Sequence, residues 1–203
     1  MLAFILVVLI LFLIPGPAVF LTLSQSLKGG RKAGIFTGIG IAVADLLHTM
    51  AAVLGLSAIL MTSAVAFEIV KYLGAAYLVY LGIHSLLEKS KGQPSQQNGK
   101  KLTPFLAFRQ AILVELLNPK TALFFLAFLP QFVRPAGPPV VYQLLVLGLT
   151  FVLMSILYTK LIAVLSSFVA NWFKKKKTSS QWQNKLVGLI YIGLGIQLAL
   201  QNK

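Results

Sequence analysis

Asp45, Glu115 and Lys120 stand inside long apolar runs, and His48 follows Asp45 by one helical turn. A charged side chain at the centre of a bilayer costs about 2.5–3.5 kcal/mol on insertion scales, so such residues mark a functional site or a buried pair. Spaced i, i+3, Asp45 and His48 share one side of a helix. A carboxylate beside an imidazole can take up and release a proton. The competing expectation is a static bridge in which Lys120 or Lys160 neutralises Asp45. Lys120 can equally pair with Glu115 or meet the carboxylate of a substrate. Metal sites want clustered carboxylates, imidazoles or thiolates. Acids are few here and cysteine is absent, which removes disulfides, thiolate ligands and cysteine nucleophiles. No metal and no cofactor are expected.

A second chemical signal is a repeated interruption. One apolar run contains Leu13-Ile14-Pro15-Gly16-Pro17-Ala18-Val19-Phe20, and another contains Leu117-Asn118-Pro119-Lys120-Thr121-Ala122-Leu123-Phe124. Superimposing Pro15 on Pro119 also superimposes Leu13 on Leu117, Ala18 on Ala122 and Phe20 on Phe124. Proline lacks an N–H and its ring clashes with the preceding turn, so each motif frees backbone carbonyls. In lipid those groups must be satisfied by protein, water or a ligand. Amides beyond a break suit a carboxylate, and freed carbonyls suit an ammonium. An amino acid carries both. Asn118 serves either a freed backbone group or a substrate.

The elements that must position these residues are membrane helices. Hydrophobic residues make up 58% of the 203-residue chain and charged residues 11%, with only four acids, too few to cover a soluble surface. The net charge of +14 does not imply nucleic acid, because most basic residues sit in short segments between apolar runs, as cytoplasmic loops do. Runs of roughly 20 residues, the length that crosses a bilayer, occur at about Leu2–Gln25, Gly34–Met61, Phe67–Leu87, Leu102–Phe132, Val140–Ala170 and Leu186–Leu200. The fold class is therefore all-α, a polytopic membrane protein of six spans. The first run lacks the basic start and cleavage site of a signal peptide and reads as mature protein.

The basic clusters are Lys28–Lys32, Lys89–Lys101 and Lys174–Lys185, and the intervening loops are nearly free of them. With six spans this places both termini outside and the basic loops in the cytoplasm. Trp172 and Trp182 flank the last cluster, whose lysines suit anionic lipid. The polar segment Gly92–Gly99 divides the chain into a three-span half at 1–91, a cytoplasmic linker at 92–100 and a second half at 101–203. An odd number of spans per half makes the halves antiparallel, and matched breaks in inverted halves point to a midplane transport site. Gly34, Gly38 and Gly40 form a face for close helix approach. Glu68 and Lys71 read as a surface pair at the outer boundary.

Taken in order, these motifs resemble the LysE/RhtB family of amino-acid exporters, the lysine exporter and homoserine/threonine resistance types. The matching residues are Pro15-Gly16-Pro17, then Gly34, Gly38 and Gly40 leading to Asp45, and Gly55-Leu56. They continue through Lys71–Leu78 with Leu81-Gly82, and through Leu117-Asn118-Pro119-Lys120 to Phe128–Phe132. The resemblance implies secondary efflux of amino acids, driven by proton antiport, across a bacterial plasma membrane, and it allows a homodimer. Ala111 stands where a glycine is common, and Glu115 where an uncharged polar residue is common.

The function expected is export of small amino acids through a site built from Pro15, Gly16, Pro17, Asp45, His48, Glu115, Asn118, Pro119 and Lys120. The partners are the amino acid, protons and the lipid bilayer, with no nucleic acid. The alternatives are efflux of a metal cation or other small solute, and an intramembrane enzyme using Asp45 and His48.

Overall fold

A computed structural model describes residues 1–56, 64–87, 102–134 and 136–166, with helical positions 185, 189, 192, 193, 195, 196, 199 and 200. The linker at Gly92–Gly99, the cluster Lys174–Lys177, both tryptophans and most of the expected last span lie outside the described residues. The described residues form helices and no strand: α1 (Leu2–Leu13), α2 (Pro17–Ala51), α3 (Ala64–Leu87), α4 (Pro104–Leu116), α5 (Pro119–Leu123) and α6 (Val140–Val164). A π-helical turn, Ala52–Leu56, extends α2. A π turn at Phe124–Phe128 and a 3-10 turn at Leu129–Phe132 extend α5.

Two stretches, Pro17–Gly55 and Val140–Val164, are long and apolar enough to cross a membrane. A third span results if α4 and the extended α5 count as one helix bent by 48°. Pro17 and Pro119 sit where proline is tolerated, at the first position of a new helix. At the first break, Ile14 (ψ 107) and Gly16 (ψ −174) are extended. What the sequence suggests as one interrupted span is therefore two helices, α1 and the start of α2.

The 39-residue stretch from Pro17 is not straight. Gly30 has φ 75 and ψ 179, a conformation open to glycine and strained for other residues. Gln25 accepts a hydrogen bond from Thr37, and a Cβ on Gly34 would collide with the Ser26 hydroxyl. A straight helix would hold residues 25 and 37 about 18 Å apart. The chain folds back at Gly30, and two arms of α2 pack against each other. The sequence suggests a loop at 28–32; one glycine makes the reversal instead, beside Lys28, Arg31 and Lys32.

Lipid is as apolar as a leucine side chain, so close packing and buried hydrogen bonds hold such helices together. The glycine face supplies both. A Cβ on Gly40 would lie 2.4 Å from the Phe108 carbonyl and 2.8 Å from the Ala111 Cβ of α4, while Gly38 meets Thr159 of α6. Gly148 of α6 meets Thr49 of α2 in return. Gln25 also donates to Gln110 at 3.0 Å, tying α2 to α4. Away from this seam lies an aromatic core: Phe124 and Phe125 each sit 5.0 Å from Phe151, centroid to centroid, and Phe4 sits 6.0 Å from Phe124. Lys71 departs from the surface role expected for it. It is 5% exposed, with its ammonium 4.5 Å above the Tyr72 ring.

Candidate functional site

The two breaks meet. Gly16 of the first lies against the Lys120 side chain of the second, whose Nζ would be 3.6 Å from a Cβ placed on that glycine. One cavity is lined by Leu11, Phe12, Gly16, Ala18 and Val19 around the first break, and by Glu115, Asn118, Lys120 and Thr121 around the second. Ile41 and Asp45 close it from the returning arm of α2, and Phe151, Ser155, Tyr158 and Thr159 from α6. About 40 Å³ of it is open to the centre of a water molecule, room for a few waters and far less than an amino acid.

Missing N–H groups explain where the cations go. Pro15 cannot donate to Leu11, four residues earlier, and Ile14 has left the helix. Lys120 Nζ donates to both freed carbonyls, at 2.7 Å to Leu11 and 2.8 Å to Ile14. This is the C-terminal end of α1, where the helix dipole favours a positive charge. In the second break, Pro119 cannot donate to Glu115. The Glu115 carbonyl accepts from the Asn118 N–H at 3.0 Å and takes His48 Nε2 at 3.2 Å. A carbonyl can only accept, so that nitrogen carries the hydrogen. The His48 ring stacks on Phe125 at 5.7 Å.

The pairings therefore differ from those expected. Among the described residues, Lys120 forms no ion pair with Asp45 or Glu115; two of its three donors go to backbone carbonyls. His48 turns to the Glu115 carbonyl of α4 and forms no pair with Asp45, which removes the dyad an intramembrane enzyme would use. Lys160 is exposed and does not neutralise Asp45. For Lys120 and His48 the physical reason is shared: a proline-orphaned carbonyl in a low-dielectric interior is costly unless a donor satisfies it.

The acids occupy unlike environments. Glu115 is 3% exposed and well supplied with donors. Asn118 Nδ2 reaches both oxygens, at 3.2 and 3.1 Å, and the Thr121 hydroxyl donates to one of them. Asn118 uses its own oxygen to cap the Lys120 N–H at 3.1 Å. Asp45 is 1% exposed, and neither of its oxygens accepts a hydrogen bond among the described residues. The Ser155 hydroxyl and the Glu115 carboxylate face it. An unmatched buried carboxylate is costly, and Asp45 is the one group in the cavity that a proton or cation would relieve. Of the residues singled out from sequence, all but His48, Pro15, Pro17 and Pro119 line the cavity, and those four shape it. The residues that sequence reasoning missed, Phe12, Phe151, Ser155, Tyr158 and Thr159, carry no spacing signal; Thr121 was readable as part of the second motif.

A bundle of apolar helices whose two broken members meet at a cavity lined by buried Asp45, Glu115 and Lys120 has the build of a membrane transporter. The chain belongs to the LysE type translocator family, whose model matches residues 9–202. It is 33% identical over 208 residues to the uncharacterized membrane protein YrhP of Bacillus subtilis, covering 98% of each chain. It is 32% identical over 190 residues to the leucine efflux proteins of Salmonella choleraesuis and Salmonella typhi, covering 92% of this chain and 88% of theirs. No solved structure matches. The protein is thus a membrane translocator.

Proposed function

We propose that the protein exports small apolar amino acids, leucine among them, by proton antiport through the cavity between the two breaks. The observation that carries this reading is the unpartnered Asp45 carboxylate facing the same cavity as both broken helices. Leucine is favoured because relatives over most of the chain are leucine efflux proteins, and because Phe12, Val19, Ile41 and Phe151 offer an apolar wall. The substrate carboxylate lies at the N-terminus of α2, beyond Gly16, where the helix dipole favours an anion. Asp45 is the coupling acid, protonated from outside and deprotonated inside.

The topology proposed is six spans in two inverted halves, 1–91 and 101–203, joined by the cytoplasmic linker 92–100. Both termini are outside, in the plasma membrane of a bacterium. The reciprocal caps support the inverted repeat. Leu11 and Glu115 are equivalent when Pro15 is set on Pro119, and each carbonyl is held by a side chain from the other half. The cavity is too small for an amino acid, so loading requires its walls to part, as alternating access demands. A homodimer is compatible with this scheme.

Bacterial cells fed leucine-containing dipeptides test the reading. Cells carrying the protein should release leucine faster than cells with empty vector, and the Asp45→Asn variant should release it no faster than vector. Equal release in all three, with the protein verified in the membrane, would refute amino-acid export.

A further inference from the structure

The carbonyls of Leu11 and Ile14 are an ammonium site by construction. Both are stripped of helical donors by the first break, both point to one spot at the negative end of α1, and one primary ammonium satisfies them at 2.7 and 2.8 Å. The ammonium present belongs to Lys120, and an amino acid carries the same group. Leu11, Gly16 and Lys120 all line the cavity, so the spot is within reach of a substrate there.

The other orphaned carbonyl has a different kind of cap. Glu115 is held by a backbone N–H and by an imidazole clamped against Phe125, neither of which has far to move. Lys120 reaches its acceptors on four rotatable bonds, and Glu115 lines the same cavity. It can leave the carbonyls and still have a countercharge.

We propose that Lys120 is a tethered competitor for the substrate: its ammonium occupies the subsite of the amino acid's α-ammonium, and loading displaces it toward Glu115. This rests on the amino-acid reading above and makes Lys120 a specificity-determining residue. Only a ligand whose own ammonium can take over the two carbonyls displaces the lysine without leaving them bare. The rival role is an anchor for the substrate carboxylate through the third N–H of Lys120, and it makes the opposite prediction.

Equilibrium binding of radiolabelled leucine to the full-length protein in lipid nanodiscs separates the two. Apparent affinity scales with the fraction of protein in which the subsite is open, so a lysine seated about nine-tenths of the time weakens binding about tenfold. Lys120→Met should bind leucine about tenfold more tightly than the wild type. Competition by isocaproate, which is leucine's skeleton without the ammonium, should not improve. Lys120→Arg, whose forked guanidinium holds carbonyls more firmly, should bind leucine more weakly, and it tests the idea should the methionine variant fail to fold. Weaker leucine binding by Lys120→Met, or tighter binding by Lys120→Arg, would overturn the competitor and leave the exporter reading standing. A wild type that binds no amino acid would overturn both.

Discussion

Each proline-orphaned carbonyl is capped by a side chain, and the two caps have different energetic consequences. Replacing His48 by leucine leaves the Glu115 carbonyl with the Asn118 N–H alone and removes the stack on Phe125. The expected loss is about 1 kcal/mol of stability, read as a lower midpoint of thermal unfolding in nanodiscs. His48→Gln, which keeps a side-chain N–H, should recover part of it; equal midpoints for all three would show that the contact is not stabilising. The sequence offered Asp45 as the partner of His48, and the structure gives His48 the Glu115 carbonyl instead. An i, i+3 spacing puts Asp45 and His48 on one side of a helix but does not say which acceptor each finds. The decisive acceptor was created 67 positions away by the missing N–H of Pro119. Only a fold that brings α2 and α4 together makes that visible.

At the scale of elements, apolar run length marked the helices well and the turns badly. The chain reversal at Gly30 falls where the sequence puts a basic connection, but its form, one glycine with φ 75 inside continuous helix, was not legible. The π turns after α2 and α5 left no signature in the sequence. The glycine face was legible because small residues at helical spacing have few other uses in a span. Its most demanding member is Gly40. Gly40→Val should push α2 from α4 and cost about 1–3 kcal/mol, seen as a lower unfolding midpoint or loss of the monodisperse peak. Gly16→Ala, whose new Cβ meets Lys120 at an ordinary 3.5 Å, should leave the fold unaffected. An unchanged midpoint in Gly40→Val would contradict the close approach.

For the whole molecule, composition decided the solvent and charge placement suggested the orientation, because four acids cannot solvate 203 residues. What composition could not convey is that the two breaks share one cavity and that its charges are unequally satisfied. Lys120 is spent on carbonyls and Glu115 is held by Asn118 and Thr121, which leaves Asp45 as the one charge free to change. Net proton movement should therefore pass through that carboxylate. Proteoliposomes loaded with labelled leucine, then diluted into acidic buffer with an indicator of internal pH, measure this directly. The wild type should release leucine faster under the gradient while the lumen acidifies. Asp45→Asn should still exchange leucine for leucine but ignore the gradient. A variant that follows the gradient like the wild type, or a wild type indifferent to it, would contradict the role assigned to Asp45.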